Sequence, residues 1–205
     1  NFFLLLVLTT IKIEIYSQEK LNYSASYDIL IKAVDLRDKG ETDEAIKLFE
    51  QIYEGDSLFF KYALPEKMIA YFYNNDYDNV IELGDKYWNF RHKLPTEFYL
   101  LYGSSLDEIE EYDKAQNMYS EILKEFPMNY SLWYNYGVSL SLAGKHKKAY
   151  DIFKKTLLVN PLYDRVHHSL GLYAVNEKQT TKAIMAFGMY LILSGEKRDN
   201  FDQLS

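Results

Sequence analysis

The chain has no cysteine, which excludes disulfides, thiolate metal sites and a cysteine nucleophile but leaves the compartment open. It also lacks an excess of positive charge. Its 23 Lys and Arg are scattered among 30 Asp and Glu, for a net charge of −7. Nucleic acid binding takes a concentrated basic face, and none is visible, so nucleic acid is set aside as a partner. No apolar run is long enough to span a membrane. The unbroken run from Phe2 to Leu8 falls far short of the ~20 residues that a bilayer core requires. Tryptophan is scarce, at two residues. Tyrosine and phenylalanine are abundant, at 20 and 12 of 205, and 48% of the chain is hydrophobic, which argues against disorder.

The run from Phe2 to Leu8, followed by Thr9, Thr10, Ile11, Lys12 and Glu14, has the length of a secretory signal core. Ser17 offers a small residue for cleavage, with Ile15 a poor match two positions before it. We expect residues 1–18 to be a signal-like segment and 19–25 a polar linker. The expected location is exported, periplasmic or outer-envelope associated. The alternative is a buried first helix in a cytoplasmic protein.

A fixed interval organises the rest. Gly103, Gly137 and Gly171 are 34 residues apart, and each is followed twelve residues later by an alanine, Ala115, Ala149 and Ala183. Four residues beyond each alanine stands a ring, Tyr119, Phe153 and Phe187. Four before each glycine stands another, Tyr99, Trp133 and His167. Ala45 and Val80 extend the alanine series backward, so the anchors at 45, 80, 115, 149 and 183 are 35, 35, 34 and 34 apart. Within each interval the apolar residues recur at helical spacing in two blocks separated by a polar turn. Gly144 suits the left-handed position after a helix end, and Pro127 and Pro161 stop the second blocks. Such periodicity marks a stacked array of helix pairs.

These residues closely resemble the tetratricopeptide repeat, whose pattern runs W-x2-L-G-x2-Y, then A-x3-F, then P. Trp133-x2-Tyr136-Gly137-x2-Leu140, Ala149-x3-Phe153 and Pro161 fit it. Tyr99-x2-Tyr102-Gly103-x2-Leu106, Ala115-x3-Tyr119 and Pro127 fit nearly as well. His167-x2-Leu170-Gly171-x2-Ala174 with Ala183-x3-Phe187 is a third match, without the proline. The resemblance implies an all-α fold, a right-handed α-solenoid of antiparallel helix pairs. It covers an array over 26–198, in units of about 26–60, 61–95, 96–129, 130–163 and 164–197. The first two depart from the pattern: Ile29 and Leu64 replace the first ring, and Gly84 stands where a large residue should pack. Residues 199–205 read as the start of a further helix in a truncated chain.

Chemistry is hard to find. The four histidines, His92, His146, His167 and His168, form no ligand set, since adjacent helical residues point about 100° apart. Asp107, Glu108, Glu110 and Glu111 read as a solvated helix end. Ser104, Ser105 and Ser139 have no histidine base at helical spacing, and the glycines never form a phosphate-cradling loop. No catalytic residue, metal or cofactor is expected.

What the resemblance implies instead is a concave groove along the first helices of the pairs. Carried over residue by residue, it comprises Tyr62, Glu66, Ile69, Phe72 and Tyr73, then Glu97, Leu101, Ser104 and Glu108. Tyr134, Asn135 and Val138 follow, then Arg165, His168 and Leu172. A clamp for a chaperone's terminal carboxylate is not supported, because Leu100, Ser104 and Ser169 occupy places that need lysine or asparagine. The expected function is a non-enzymatic scaffold whose groove binds a peptide or protein surface with apolar or aromatic side chains and basic residues. Alternatives are the extracytoplasmic sensory or regulatory part of a larger signalling or envelope protein, or an envelope enzyme, with the effector domain beyond Ser205. Nothing in these residues sets the oligomeric state.

Overall fold

Each unit places two helix-facing residues sixteen positions apart, one small and one large, and the computed structural model shows what they do. It describes residues 24–55 and 58–202, with side-chain environments as far as Gly195. The signal-like segment 1–18 lies outside the described residues. Two compact units divide the chain, Asn1–Leu101 and Tyr102–Ser205, and each is taken by itself.

In the first unit, α1 spans 24–38, so it begins inside the stretch read as a linker. Thr42–Phe49 forms α2. A π-helical turn, Phe59–Ala63, leads into α3, Leu64–Tyr73; α4, Tyr77–Tyr87, runs out through a 3-10 turn at Trp88–Lys93. The division between units falls within α5, Thr96–Glu108. In the second unit follow α6, Tyr112–Glu125; α7, Tyr130–Leu142; α8, His146–Val159; α9, Asp164–Asn176; and α10, Thr180–Asp202. No strand occurs among the described residues. The fold is all-α, a succession of helix pairs. Because α10 continues through Asp202, residues 199–202 prolong the last helix instead of opening a new one.

The pairs pack by fitting a ring over a glycine. A methyl group built on Gly137 would meet Phe153 Cδ1 at 2.7 Å, and one on Gly171 would meet Phe187 Cε1 at 2.7 Å. Gly103 faces the Tyr119 ring in the same way. Any side chain there would force the helices apart or drive the ring from its rotamer. The anchors Ala45, Val80 and Ala115 are fully buried, and Ala149 and Ala183 nearly so. The two irregular units obey the same rule with other residues. Sixteen apart in the first are Ala33 and Phe49, both buried. In the second the sizes are exchanged: buried Met68 stands at the glycine's place and buried Gly84 at the ring's. Further rings outside the repeat pattern complete that unit, with Tyr87 edge-on to Phe59 at 5.4 Å and Phe60 stacked on Phe90 at 5.2 Å.

Two hydrogen-bond sets recur with the period. The first-landmark residue reaches back to the turn before it: Trp133 Nε1 donates to Pro127 O at 2.8 Å, and His167 Nε2 lies 2.8 Å from Pro161 O. The Tyr99 hydroxyl donates to Arg91 O in place of such a contact. The turn inside every pair is also the same. Residues 40, 75, 110, 144 and 178 all have positive φ. The following amide donates to the carbonyl five residues back, as in Lys145 N to Leu140 O at 2.9 Å and Gln179 N to Ala174 O at 2.7 Å. This is the closing bond of a helix ended by a left-handed residue.

Only Gly40 and Gly144 supply a glycine there; Asn75, Glu110 and Lys178 hold the strained conformation with side chains. Replacing Gly144 by alanine should therefore cost roughly 1 kcal/mol, while Lys178→Gly should gain about 0.5–1 kcal/mol. Urea melts of the two variants check this, and equal or reversed shifts would contradict the shared turn geometry.

Candidate functional site

In the second unit, α7, α8 and α9 enclose a groove of about 350 Å³. The turn at Gly144 folds α8 back along α7, and Asn129, capping α7 through its side chain to Leu132 N at 3.1 Å, fixes where α7 begins. Tyr134 and Val138 descend from α7 into the groove; His168 and Leu172 face them from α9. These four are groove residues expected from the sequence, and the fold brings them together. Tyr134 meets Phe153 at 5.8 Å and Tyr163 edge-on at 5.2 Å between ring centres, which fixes its orientation. His168 packs against Phe187 and Tyr190 at 5.8 and 5.1 Å. Leu172 is 49% exposed, an apolar side chain left at the groove's edge.

The groove also takes residues that the register did not indicate. Its second-helix wall carries His146 and Tyr150, and Tyr150 stacks on Tyr173 at 4.4 Å. Ser141, Ser169 and Asn176 supply its polar groups. Tyr150 follows Ala149 directly, so the excess of tyrosine near the landmarks was the signal available. No carboxylate lines this groove. Asn135 and Arg165 do not line it either: the Asn135 amide donates to Ser131 O of its own helix at 2.9 Å, and Arg165 is exposed.

The other expected groove residues have separate surroundings. In the first unit Glu66 is ion-paired to Arg37. Phe72 is half-buried edge-on to Tyr77 at 5.4 Å, and Ile69 is half-buried. Tyr62 and Tyr73 are 42% and 73% exposed; Glu97 is exposed and Leu101 half-buried. In the second unit Glu108 is exposed and Ser104 faces the buried Tyr119 hydroxyl.

Near Ser104 lies a buried polar cluster that the sequence did not reveal. Asp107 is half-buried, and desolvation pushes its carboxyl up to about 6. Ser139 of α7 faces it and favours the charged form, whereas Glu108 disfavours it. Neither Asp107 Oδ1 nor Ser139 Oγ reaches full hydrogen-bond geometry with a protein group. Burial also raises the Tyr119 phenol, with Asp107 adding to the effect. Beside them Gln116 Nε2 donates to Ser139 O at 3.4 Å and Gln116 Oε1 accepts from Lys145 Nζ at 2.8 Å, while Lys145 Nζ also donates to Asp113 Oδ1 at 2.7 Å. Nothing here resembles a catalytic dyad. Among the described residues no three His, Asp or Glu side chains converge as a metal site, and no helix is long and apolar enough to cross a membrane.

Residues 97–127, which comprise most of α5 and all of α6, match the family model of the tetratricopeptide repeat. Solved structures of MamA share the fold. A MamA fragment, 41-end, from Desulfovibrio magneticus RS-1 superposes with a TM-score of 0.69 at 18% identity, covering 85% of this chain and 96% of that one. A second MamA crystal structure gives 0.65 at 22% identity, over 80% and 95% of the two chains. MamA from MSR-1 gives 0.60 at 20% identity, over 84% and 98%. At these identities the likeness is one of fold. No curated protein sequence matches the chain.

The Asp107 environment carries a pH dependence of defined sign. Its folded-state value of about 6 lies above the ordinary carboxylate value of 3.8, so the folded state holds the proton more tightly. Stability contributed by this group is present at low pH and is lost as pH rises from about 4 to about 6. Asp107→Asn should therefore melt above the parent at pH 7.5, and the difference should shrink at pH 4.5. A constant difference across that range would contradict the assignment.

Proposed function

For a chain that is a tetratricopeptide-type array in fold, with one unit matching the family's sequence model, we propose a non-enzymatic scaffold role. Its groove between α7, α8 and α9 binds an extended segment of a partner protein. The observation that carries this reading is the groove itself: an open trough walled by Tyr134, Tyr150, Tyr173 and Leu172, with His168, Ser169 and Asn176 interspersed. Aromatic walls offer large apolar area at little side-chain entropy cost, and scattered hydroxyl and amide groups can meet a peptide backbone whatever its sequence. The walls are held by ring–ring contacts before any partner arrives, so binding orders little of the scaffold.

The partner chemistry is narrower than the sequence implied. Glu66 is already paired with Arg37, and no acid lines the α7–α9 groove, so basic partner residues have no counterpart there. A leucine-sized or aromatic side chain is the favoured occupant. The apolar run near the N-terminus supports an exported setting, which N-terminal sequencing of the secreted protein would check.

Selection of peptides from a display library against the whole chain, repeated with Leu172→Glu, tests the groove. Enriched peptides should carry an aromatic or leucine residue and should lose at least about tenfold in affinity for Leu172→Glu. The variant must melt with the parent, as expected for a half-exposed side chain. Peptides that bind both proteins equally would place the binding surface elsewhere.

A further inference from the structure

The α7–α9 groove has a counterpart one period earlier in the second unit, and its chemistry is different. At positions 34 residues before Val138, Leu142, Tyr150, Phe153 and Tyr173 stand Ser104, Glu108, Gln116, Tyr119 and Ser139, and Asp107 takes the place of Ser141. An aromatic trough thus gives way to hydroxyls, an amide and two carboxylates where α5, α6 and α7 meet. The fold brings them together. Ser139 of α7 faces the Asp107 carboxyl, and the Tyr119 hydroxyl of α6 faces Ser104 and feels the charge of Asp107.

This junction is not self-sufficient. Ser139 and Tyr119 are fully buried, yet neither hydroxyl oxygen has a hydrogen-bond partner of full geometry, and the same is true of Asp107 Oδ1. No base is among the groups that act on Asp107; the neighbouring charge is Glu108, which has the same sign. Lys145 binds Gln116 in the junction, but its counter-ion is Asp113. A carboxylate held partly out of water with no cation beside it is costly, and a positive group set against it offsets that cost. Water can hydrogen-bond the orphaned oxygens, but it does not supply the missing charge. A metal ion would need more ligands, and among the described residues no third acid or histidine joins the two carboxylates. Asp107 remains partly exposed, so a side chain lying in the groove can reach it, and exposed Glu108 adds negative potential beside it.

Resting on the groove reading above, we propose that this junction is a cation subsite of the same binding surface and takes one lysine or arginine side chain of the bound segment. The ammonium or guanidinium group pairs with Asp107, and Ser139 orients the carboxyl. The leucine or aromatic residue of the same segment occupies the trough between α7 and α9. The partner segment therefore carries an apolar anchor and a basic residue, where the trough alone specifies only the anchor.

The subsite has a signature in pH. The titratable groups facing Asp107 are Glu108 on its own helix and Tyr112 and Tyr119 on α6, both phenols held above their ordinary value, while α7 presents the Ser139 hydroxyl. With its carboxyl at about 6, Asp107 is roughly nine-tenths neutral at pH 5 and almost fully charged at pH 7.5.

Random peptides displayed on phage and selected at pH 7.5 against the whole chain, and separately against Asp107→Asn, test the proposal. The variant should be at least as stable as the parent at that pH, so lost binding would not report lost folding. Peptides selected on the parent should carry lysine or arginine at a constant distance from the leucine or aromatic residue. Those selected on Asp107→Asn should keep the apolar residue and lose the basic one. A parent-selected peptide should bind Asp107→Asn at least about tenfold more weakly, as should the parent with the peptide's basic residue changed to methionine. The two changes together should cost little more than either alone. The parent's affinity should fall about tenfold from pH 7.5 to pH 5, an effect absent from Asp107→Asn and from the methionine peptide. Ser139→Ala, which removes the hydroxyl that favours the charged form, should move the midpoint of that fall upward. Affinity lost with Leu172→Glu but kept with Asp107→Asn, or selection of peptides without a basic residue, overturns the cation subsite and leaves the trough standing. Peptides indifferent to both variants overturn the groove reading and the subsite together.

Discussion

Everything else in this protein depends on the closeness with which the two helices of a pair cross, and that closeness is set by one small residue under one large one. Where Gly103, Gly137 and Gly171 lie beneath Tyr119, Phe153 and Phe187, there is no space for even a methyl group. The glycine costs helix propensity, but the ring it admits buries far more apolar surface than that loss. Once the pair is closed, its shared turn is short enough to require a left-handed residue, and the next first helix can lie in the seam. The groove between α7, α8 and α9 is a by-product of this spacing: the first helices stand apart just enough to leave Tyr134 and His168 facing an open trough.

Much of this was legible because packing at a fixed distance needs fixed residue sizes. The glycine, alanine and ring landmarks announced the three regular pairs, and the structure buries the anchor series from Ala45 to Ala183. The turns carry a residue type suited to positive φ at Gly40, Asn75 and Gly144, whereas Glu110 and Lys178 adopt it without a residue type that advertises it. Gly84 looked like a defect in the pattern, since a motif lists residues one at a time while packing constrains the pair. Read together with Met68, it is the small member of a buried pair with the sizes exchanged. The run at 199–202 resembled a new helix start because charged residues followed an apolar stretch, yet nothing in it breaks a helix, and α10 continues.

The site was less legible than the fold. Helical register indicates which face a residue occupies, and the four residues it set on one side, Tyr134, Val138, His168 and Leu172, line the α7–α9 groove. It does not indicate which polar side chains are already engaged. Asn135 bonds its own helix and Glu66 binds Arg37, two partners that no spacing rule names. Asp107 was grouped with the solvated acids because its neighbours in sequence are acidic. Its surroundings include Tyr119 of α6 and Ser139 of α7, neighbours that the residues adjacent to it in sequence do not announce.

The exchanged pair offers the most direct measurement of the central claim. In Met68→Gly the large side chain is lost and a cavity remains, which should cost about 2–5 kcal/mol; Gly84→Phe should overpack the crossing at about 1–3 kcal/mol. If the two positions share one volume, the double variant restores the ring-over-glycine arrangement of the other pairs. A double-mutant cycle from denaturant melts should then show a favourable coupling of about 1–3 kcal/mol, with the double variant more stable than Met68→Gly alone. Simple addition of the two losses would contradict the account, because it would mean that residue sizes at these positions are set independently.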